Sequence, residues 1–513
     1  MTATAKPETK GFLDLVKRHG ALHTVNIKYG YILLALCGLF VLIRTFSLWY
    51  YDRSWRRSGR STTNRRITHL PPYLTLSLIT LTVAILFAIH PHLENGSVSI
   101  KRLGRLSYAL IPLDIFLASK PAFFSVDNYL NTIRLHKLVS RLILTLAIFH
   151  SIGFLGWYAQ HNSLFKLLRP VNFIGFVIFL LGTIMMVFVK PVRDVSYKFF
   201  YIYHNFFMLS FIIVIYYHAR PGVALYYSIS LLLVAVQALR RYVYSKDITM
   251  TEIIENPESD YVIIKFPKTL LPEDYLPASH VRIGYSKWNP LFMLMPSHPY
   301  TVATIYENRD LLSSLIVKKT RFQIQPFETY SIQANLKSSL SENFFNTAEN
   351  VNIVCGGSGI SFGLPIFEYF KRAILAGGRD VKLKFIWVTR NEADLYILQD
   401  MAVQGVDVFV TKSDSDQMDT IEVDAFSEQG IPLSDLSVDD SADSFENIKT
   451  KFTNVSVIGK RPDLEAMLEK NMTRTIDYAN KWVISCGPAS LNRDCERIAL
   501  TNKCSFFSEE YSF

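Results

Sequence analysis

The sequence predicts a multi-pass α-helical membrane domain, then a small antiparallel β-barrel, then a parallel α/β domain. Three observations carry that prediction. Apolar residues crowd into the first 240 positions, in runs long enough to cross a bilayer. Residues from about 247 to 335 carry short β-rich runs punctuated by proline, such as Tyr261–Phe266 and Val281–Tyr285. From Asn352 onward, apolar strands alternate with helical stretches, and a glycine turn follows the first strand.

About seven spans are expected, at 30–50, 71–90, 103–119, 132–157, 171–189, 199–219 and 222–239. The third is the least apolar, since it carries Arg105, Pro112 and Asp114. Basic loops give the orientation. Asp52–His69 holds six arginines; Lys190, Arg193 and Lys198 follow the fifth span, and Arg240, Arg241 and Lys246 the seventh. With these loops in the cytosol, the N-terminal tail (1–29) lies outside and the large C-terminal part inside. Much of the net charge of +10 thereby sits beside a membrane surface, and no nucleic-acid module interleaves basic with aromatic residues. The five cysteines have neither zinc nor disulfide spacing, which excludes a disulfide scaffold and suits a reducing compartment. The start of the chain, polar up to Lys28, lacks a cleavable signal pattern, so the first span is expected to direct insertion.

Four histidines organise the membrane part. His136 and His150 lie in the fourth span, His204 and His218 in the sixth, and each pair is 14 positions apart. Fourteen residues at about 100° each return to within roughly 40° of the starting direction, so both members of a pair look out of one side of their helix. They are separated by roughly 21 Å along the axis, inside a hydrocarbon core of about 30 Å. Ionisable groups at that depth are functional more often than not. Two parallel spans so spaced would stack His136 with His204 and His150 with His218, as two b-type haems require of their iron ligands. Asp114 and Arg141 are further charges in this region: Arg141 meets a haem propionate, or it pairs with Asp114.

The α/β part has strands at 351–360, 382–390, 455–459 and 482–488. Cys355-Gly356-Gly357-Ser358-Gly359 closes the first strand and opens a helix, where glycine lets the backbone approach a pyrophosphate. Arg390 follows the second strand, where a 2′-phosphate is recognised in such sheets, and Arg461 is the other candidate. Residues 411–447 are acidic and serine-rich, and are expected to be a disordered insertion.

Taken together, these motifs resemble the ferric reductase and NADPH oxidase family of flavocytochromes b, from about the third span to the end of the chain. The paired histidines match that family's haem-ligand spacing, and Gly104–Lys120 is similar to its helix preceding the first haem helix. His298-Pro299-Tyr300-Thr301 resembles its flavin motif, Gly459–Asp463 its GRP-type segment, and Cys486-Gly487-Pro488 its nicotinamide-side motif. The resemblance implies a haem domain at 30–240, then a ferredoxin-reductase-like module: an FAD-binding barrel at 247–345 and an NADPH-binding domain at 346–513. It places the flavin against His298–Thr301 and Thr304, and the nicotinamide beside Cys486. It lets the C-terminal Phe513 cover the flavin ring. The motif departs from the family pattern at Tyr300, where phenylalanine is usual, and at Thr304, where serine is common; no GPYG-like turn is recognisable in 315–339.

The implied activity is electron transfer from cytosolic NADPH through FAD and two haems to an acceptor across a membrane, either the plasma membrane or the endoplasmic reticulum. Chelated ferric or cupric ion is the expected acceptor, which would place the protein in iron or copper homeostasis. Two alternatives stand beside it: an oxidase that makes superoxide from oxygen, and a non-enzymatic haem protein whose flavin site has decayed.

Overall fold

The computed structural model describes residues 26–47, 72–89, 96–119, 129–250, 252–273, 275–303, 312–319, 324–336, 338, 340, 342–411, 455–457, 462–469, 471–472 and 480–509. Thr304, Arg461, Phe513, most of the 411–447 stretch and the N-terminal tail up to residue 25 lie outside them. The chain divides into two compact units, one holding the helices up to Val243 together with Pro290–Pro296, the other holding the remainder from Tyr244.

The first unit is helical. Its helices are α1 (Asn26–Ser47), α2 (Pro72–Ala88), α3 (Gly96–Ala109), α4 (Ile111–Ala118), α5 (Tyr129–Gln160), α6 (Pro170–Val195), α7 (Tyr197–His218) and α8 (Ala224–Tyr244). Helical segments stand at each expected span, but among the described residues only α1, α5, α6 and α7 are long and apolar enough to cross a membrane. The third expected span is not one helix. It breaks at Leu110, with Pro112 in the first turn of α4, as proline's missing N–H favours. Leu106–Ile115 are buried, so α3 and α4 form the interior of the bundle. That is why this stretch tolerates Arg105 and Asp114: its polar groups face protein, while α1, α6 and α7 turn apolar side chains outward.

Arg102 of α3, fully buried, ties three helices together. Its guanidinium donates to Asn26 Oδ1 of α1 at 3.2 Å and to the carbonyls of Phe87 and Ile89 at 2.9 and 2.6 Å, and it lies 4.4 Å from the Tyr29 ring centre. It thereby caps the C-terminal end of α2, where helix carbonyls lack intrahelical partners.

The second unit opens with two antiparallel sheets. Strands are β1 (Ser245–Thr249), β2 (Glu252–Glu255), β3 (Tyr261–Pro267), β4 (His280–Tyr285), β5 (His298–Thr301), β6 (Leu312–Lys318) and β7 (Thr329–Leu336). Their order is β1-β7-β4-β5 in one sheet and β2-β3-β6 in the other. Among the described residues the ladders form two sheets, so the expected antiparallel barrel is not confirmed by them. A single Val302–Leu315 bridge joins the sheets at one edge, and the far edges are β1 and β2, which are successive in the chain. Val281, Ile283, Phe266, Leu315 and Ile332 fill the space between the sheets.

The α/β part has one six-stranded parallel sheet. Its strands are β8 (Asn350–Gly356), β9 (Lys382–Thr389), β10 (Asp407–Val410), β11 (Val455–Val457), β12 (Lys481–Cys486) and β13 (Ser505–Glu509), in the order β11-β10-β9-β8-β12-β13. β10 and β13 were not expected. Chain order reverses between β8 and β12, and in open sheets of this kind ligands bind outside the strand ends at such a reversal.

Candidate functional site

The histidine spacing places all four rings where the sequence expects them. The His136 and His204 ring centres are 6.2 Å apart, as are those of His150 and His218, and the two interplanar angles are 85° and 86°. α5 and α7 are thus parallel, with matched levels. Two metal–nitrogen bonds of about 2 Å, plus the half-ring behind each nitrogen, span roughly 6 Å. The separation would admit one metal ion between the two rings of each pair.

The outer edge of three rings is fixed. His150 Nδ1 lies 2.8 Å from the Ile100 carbonyl, and His218 Nδ1 lies 2.8 Å from the Val171 carbonyl. His136 Nδ1 bonds the Asp114 carbonyl at 3.2 Å and lies 2.9 Å from Asp114 Oδ1. A carbonyl or carboxylate oxygen only accepts, so each Nδ1 carries the hydrogen and Nε2 keeps its lone pair for a metal.

Two glycines make room. A methyl on Gly104 of α3 would stand 2.8 Å from His150 Nδ1, and one on Gly175 of α6 would stand 2.3 Å from His218 Cε1. Neither glycine, nor the role of Asp114 behind His136, is evident from the sequence. Asp114 does not take Arg141. Its carboxylate accepts from Ser140 Oγ at 3.0 and 2.8 Å and faces His136.

In the second unit, the glycine turn and the Cys486 loop meet across the sheet reversal. Cys355 and Cys486 are register partners in adjacent strands. Gly359 sits against the Cys486 carbonyl, and Gly356 against Pro488 and Gly487. Gly357 has φ +56, a conformation glycine adopts without strain. Trp387 Nε1 donates to the Gly357 carbonyl at 3.0 Å, and Ser361 Oγ donates to the Ser358 carbonyl at 2.9 Å. The turn ends at the N-terminus of α11 (Ile360–Leu375, following the short α9 at Leu291–Leu294 and α10 at Glu342–Thr347). Arg390 is exposed at the end of β9, near enough to Tyr261 to act on its hydroxyl electrostatically. Burial pushes that phenol up, against the opposing pull of Arg390. Tyr261 and Trp387 were not singled out from sequence. The Cys486 side chain is fully buried in the core, and Gly487-Pro488 is the accessible part of that loop.

His298–Thr301 form β5, paired with β4 so that Thr301 opposes His280. Thr301 Oγ1 lies 3.1 Å from His280 Nδ1, and His280 Nε2 lies 3.2 Å from Oε1 of the buried Glu509 at the end of β13. Pro299 opposes Arg282, which is bound to the Ser297 hydroxyl at 2.9 Å. Tyr300 is half-buried, and desolvation raises its phenol. Among the described residues of this stretch, Tyr300 offers a ring and Thr301 a hydroxyl; Thr304 lies outside them.

A helical membrane unit and a nucleotide-type α/β sheet on one chain define an integral membrane oxidoreductase. Residues 103–215 match the ferric reductase like transmembrane component, and residues 348–500 match the ferric reductase NAD binding domain. The chain is 33% identical to the probable metalloreductase AIM14 of Scheffersomyces stipitis, over 97% of this chain and 98% of that one. It is 32% identical to the probable metalloreductase AIM14 of Candida tropicalis, over 96% and 98%. The protein belongs to the ferric reductase and NADPH oxidase family, with its fungal metalloreductase-type members. A ferredoxin NADP+ reductase from Neisseria gonorrhoeae aligns with 52% of this chain and 98% of its own at 12% identity and a TM-score of 0.34, too loose a superposition to bear on the assignment.

Proposed function

We propose that the protein carries electrons from cytosolic NADPH, by way of FAD and two b-type haems, to ferric or cupric ions across the membrane. One observation supports the haem part above all: two histidine pairs at one separation, with Nδ1 of three rings held by acceptors. When bound, the flavin would take a hydride's two electrons and part with them singly, and the haems would relay them one at a time.

The chain's own residues do the rest. His136 and His204 would hold one haem, and His150 and His218 the other. Gly104 and Gly175 leave the two outer-pair rings their positions. The Gly356–Gly359 turn and the first turn of α11 would receive the pyrophosphate of the nucleotide, drawn by backbone amides and the helix dipole. Arg390 would take the 2′-phosphate, and Gly487-Pro488 would border the nicotinamide. Tyr300 and Thr301 would contact the flavin, with Thr301 oriented through His280 by Glu509.

The test is a set of membranes expressing the protein, given FAD and NADPH. Reduced haem bands that discharge on adding ferric chelate support the proposal. Discharge by oxygen with trapped superoxide moves the acceptor to oxygen. Haem that dithionite reduces and NADPH does not would refute the enzymatic reading.

A further inference from the structure

The four imidazoles differ in what stands behind them. His150 and His218 are backed by neutral peptide carbonyls, each at 2.8 Å. His136 Nδ1 bonds the peptide carbonyl of Asp114 at 3.2 Å and has, in addition, that residue's carboxylate beside it, with Oδ1 at 2.9 Å. Asp114 is 4% exposed, on the interior helix α4. No lysine or arginine forms an ion pair with it among the described residues; its carboxylate meets His136 and the Ser140 hydroxyl. A buried anion beside Nδ1–H polarises that bond and favours positive charge on the ring. Electron density moves through the ring to Nε2, making the imidazole a stronger donor to a metal. The carboxylate's charge adds to the carbonyl's pull on His136, whereas His150 and His218 have the carbonyl alone. A stronger donor stabilises the oxidised iron.

We infer that Asp114 sets the His136–His204 site at a lower reduction potential than the His150–His218 site, so that an electron shared between them rests on the second pair. The inference depends on the reading that the pairs hold haems. Asp114 is a positioning and tuning residue, since it acts through His136. Ser140 moderates it: its one O–H, shared between the two carboxylate oxygens, draws charge away from His136.

Opposite effects follow from the two neighbours. Asp114→Asn replaces the anion with a neutral amide of the same shape and raises the potential of one haem. Ser140→Ala returns the full charge to His136 and lowers it. The experiment is a spectroelectrochemical titration of the purified full-length protein, with haem counted per chain. His136→Ala identifies which component belongs to the first pair, as the one it removes. In Asp114→Asn that component shifts upward by about a factor of ten in its reduction equilibrium, or 59 mV for one electron, while the other stays in place. In Ser140→Ala the same component moves down. If Asp114→Asn fails to retain haem, the Ser140→Ala shift decides the question. Unmoved potentials in variants with intact haem content would overturn the role of Asp114 and leave the haem reading standing. A wild-type protein without haem would overturn both.

Discussion

Replacing Gly359 with alanine would set a methyl 2.0 Å from the Cys486 carbonyl oxygen and 2.7 Å from its carbon. Both are main-chain atoms at the end of β12, held in register by the ladder to β8. Neither can swing aside as a side chain would, so the glycine turn itself must lift. Overpacking of this kind typically costs about 1–3 kcal/mol, and a clash with fixed backbone belongs at the upper end. The displaced turn carries the N-terminus of α11, which would receive the pyrophosphate. If the strain falls on the nucleotide-bound form, NADPH affinity drops about 5- to 150-fold. The control is Gly378→Ala, whose nearest neighbour is the Ala373 carbonyl oxygen at 3.8 Å, an ordinary contact. The assay is the KM for NADPH in ferric-chelate reduction by membranes, with thermal stability of the detergent-solubilised protein alongside. Equal KM and equal melting for Gly359→Ala and Gly378→Ala would refute the argument that the two loops are interlocked.

Three further outcomes are expected. Gly175→Leu places a side chain where the His218 ring stands, within 2.3 Å at its first carbon, and should remove one haem per chain as read by pyridine haemochrome. Arg390→Ala should raise the KM for NADPH about tenfold while leaving that for NADH nearly unchanged, since only the former carries a 2′-phosphate for a charged hydrogen bond. Burial raises the Asp394 carboxyl, although Ser259 and Thr389 donate to it. A carboxyl raised by folding contributes stability that is full below its unfolded value near pH 4 and fades as pH climbs through the folded one. Asp394→Asn should therefore flatten the pH dependence of melting just above about pH 4.

Much of this site is legible in the sequence because it repeats. A 14-residue spacing, present twice in apolar spans, is a signal of period and depth that no single histidine gives, and it also implies the pairing across α5 and α7. The partners behind the rings have no such signature. Glycine is common in membrane helices, so Gly104 and Gly175 show their role only once the rings lie against them. The sequence offered Asp114 one partner, Arg141; His136 and Ser140 prevail because α4 is a separate interior helix. A hydropathy count could not see that, since Arg105 and Asp114 lower the average of a stretch that is nonetheless buried. β10 is four residues long, and β13, Ser505–Glu509, mixes polar with aromatic residues, so neither stood out as a strand. The His280–Glu509 contact joins residues 229 positions apart, beyond the reach of any local pattern.

The most direct measurement is haem per chain, with its axial ligation, on the purified full-length protein from haem-replete cells. Two low-spin haems for the wild type, falling to one in His136→Ala and one in His218→Ala, is the result this account requires. A colourless wild-type preparation, or single-histidine variants that keep both haems, would contradict it.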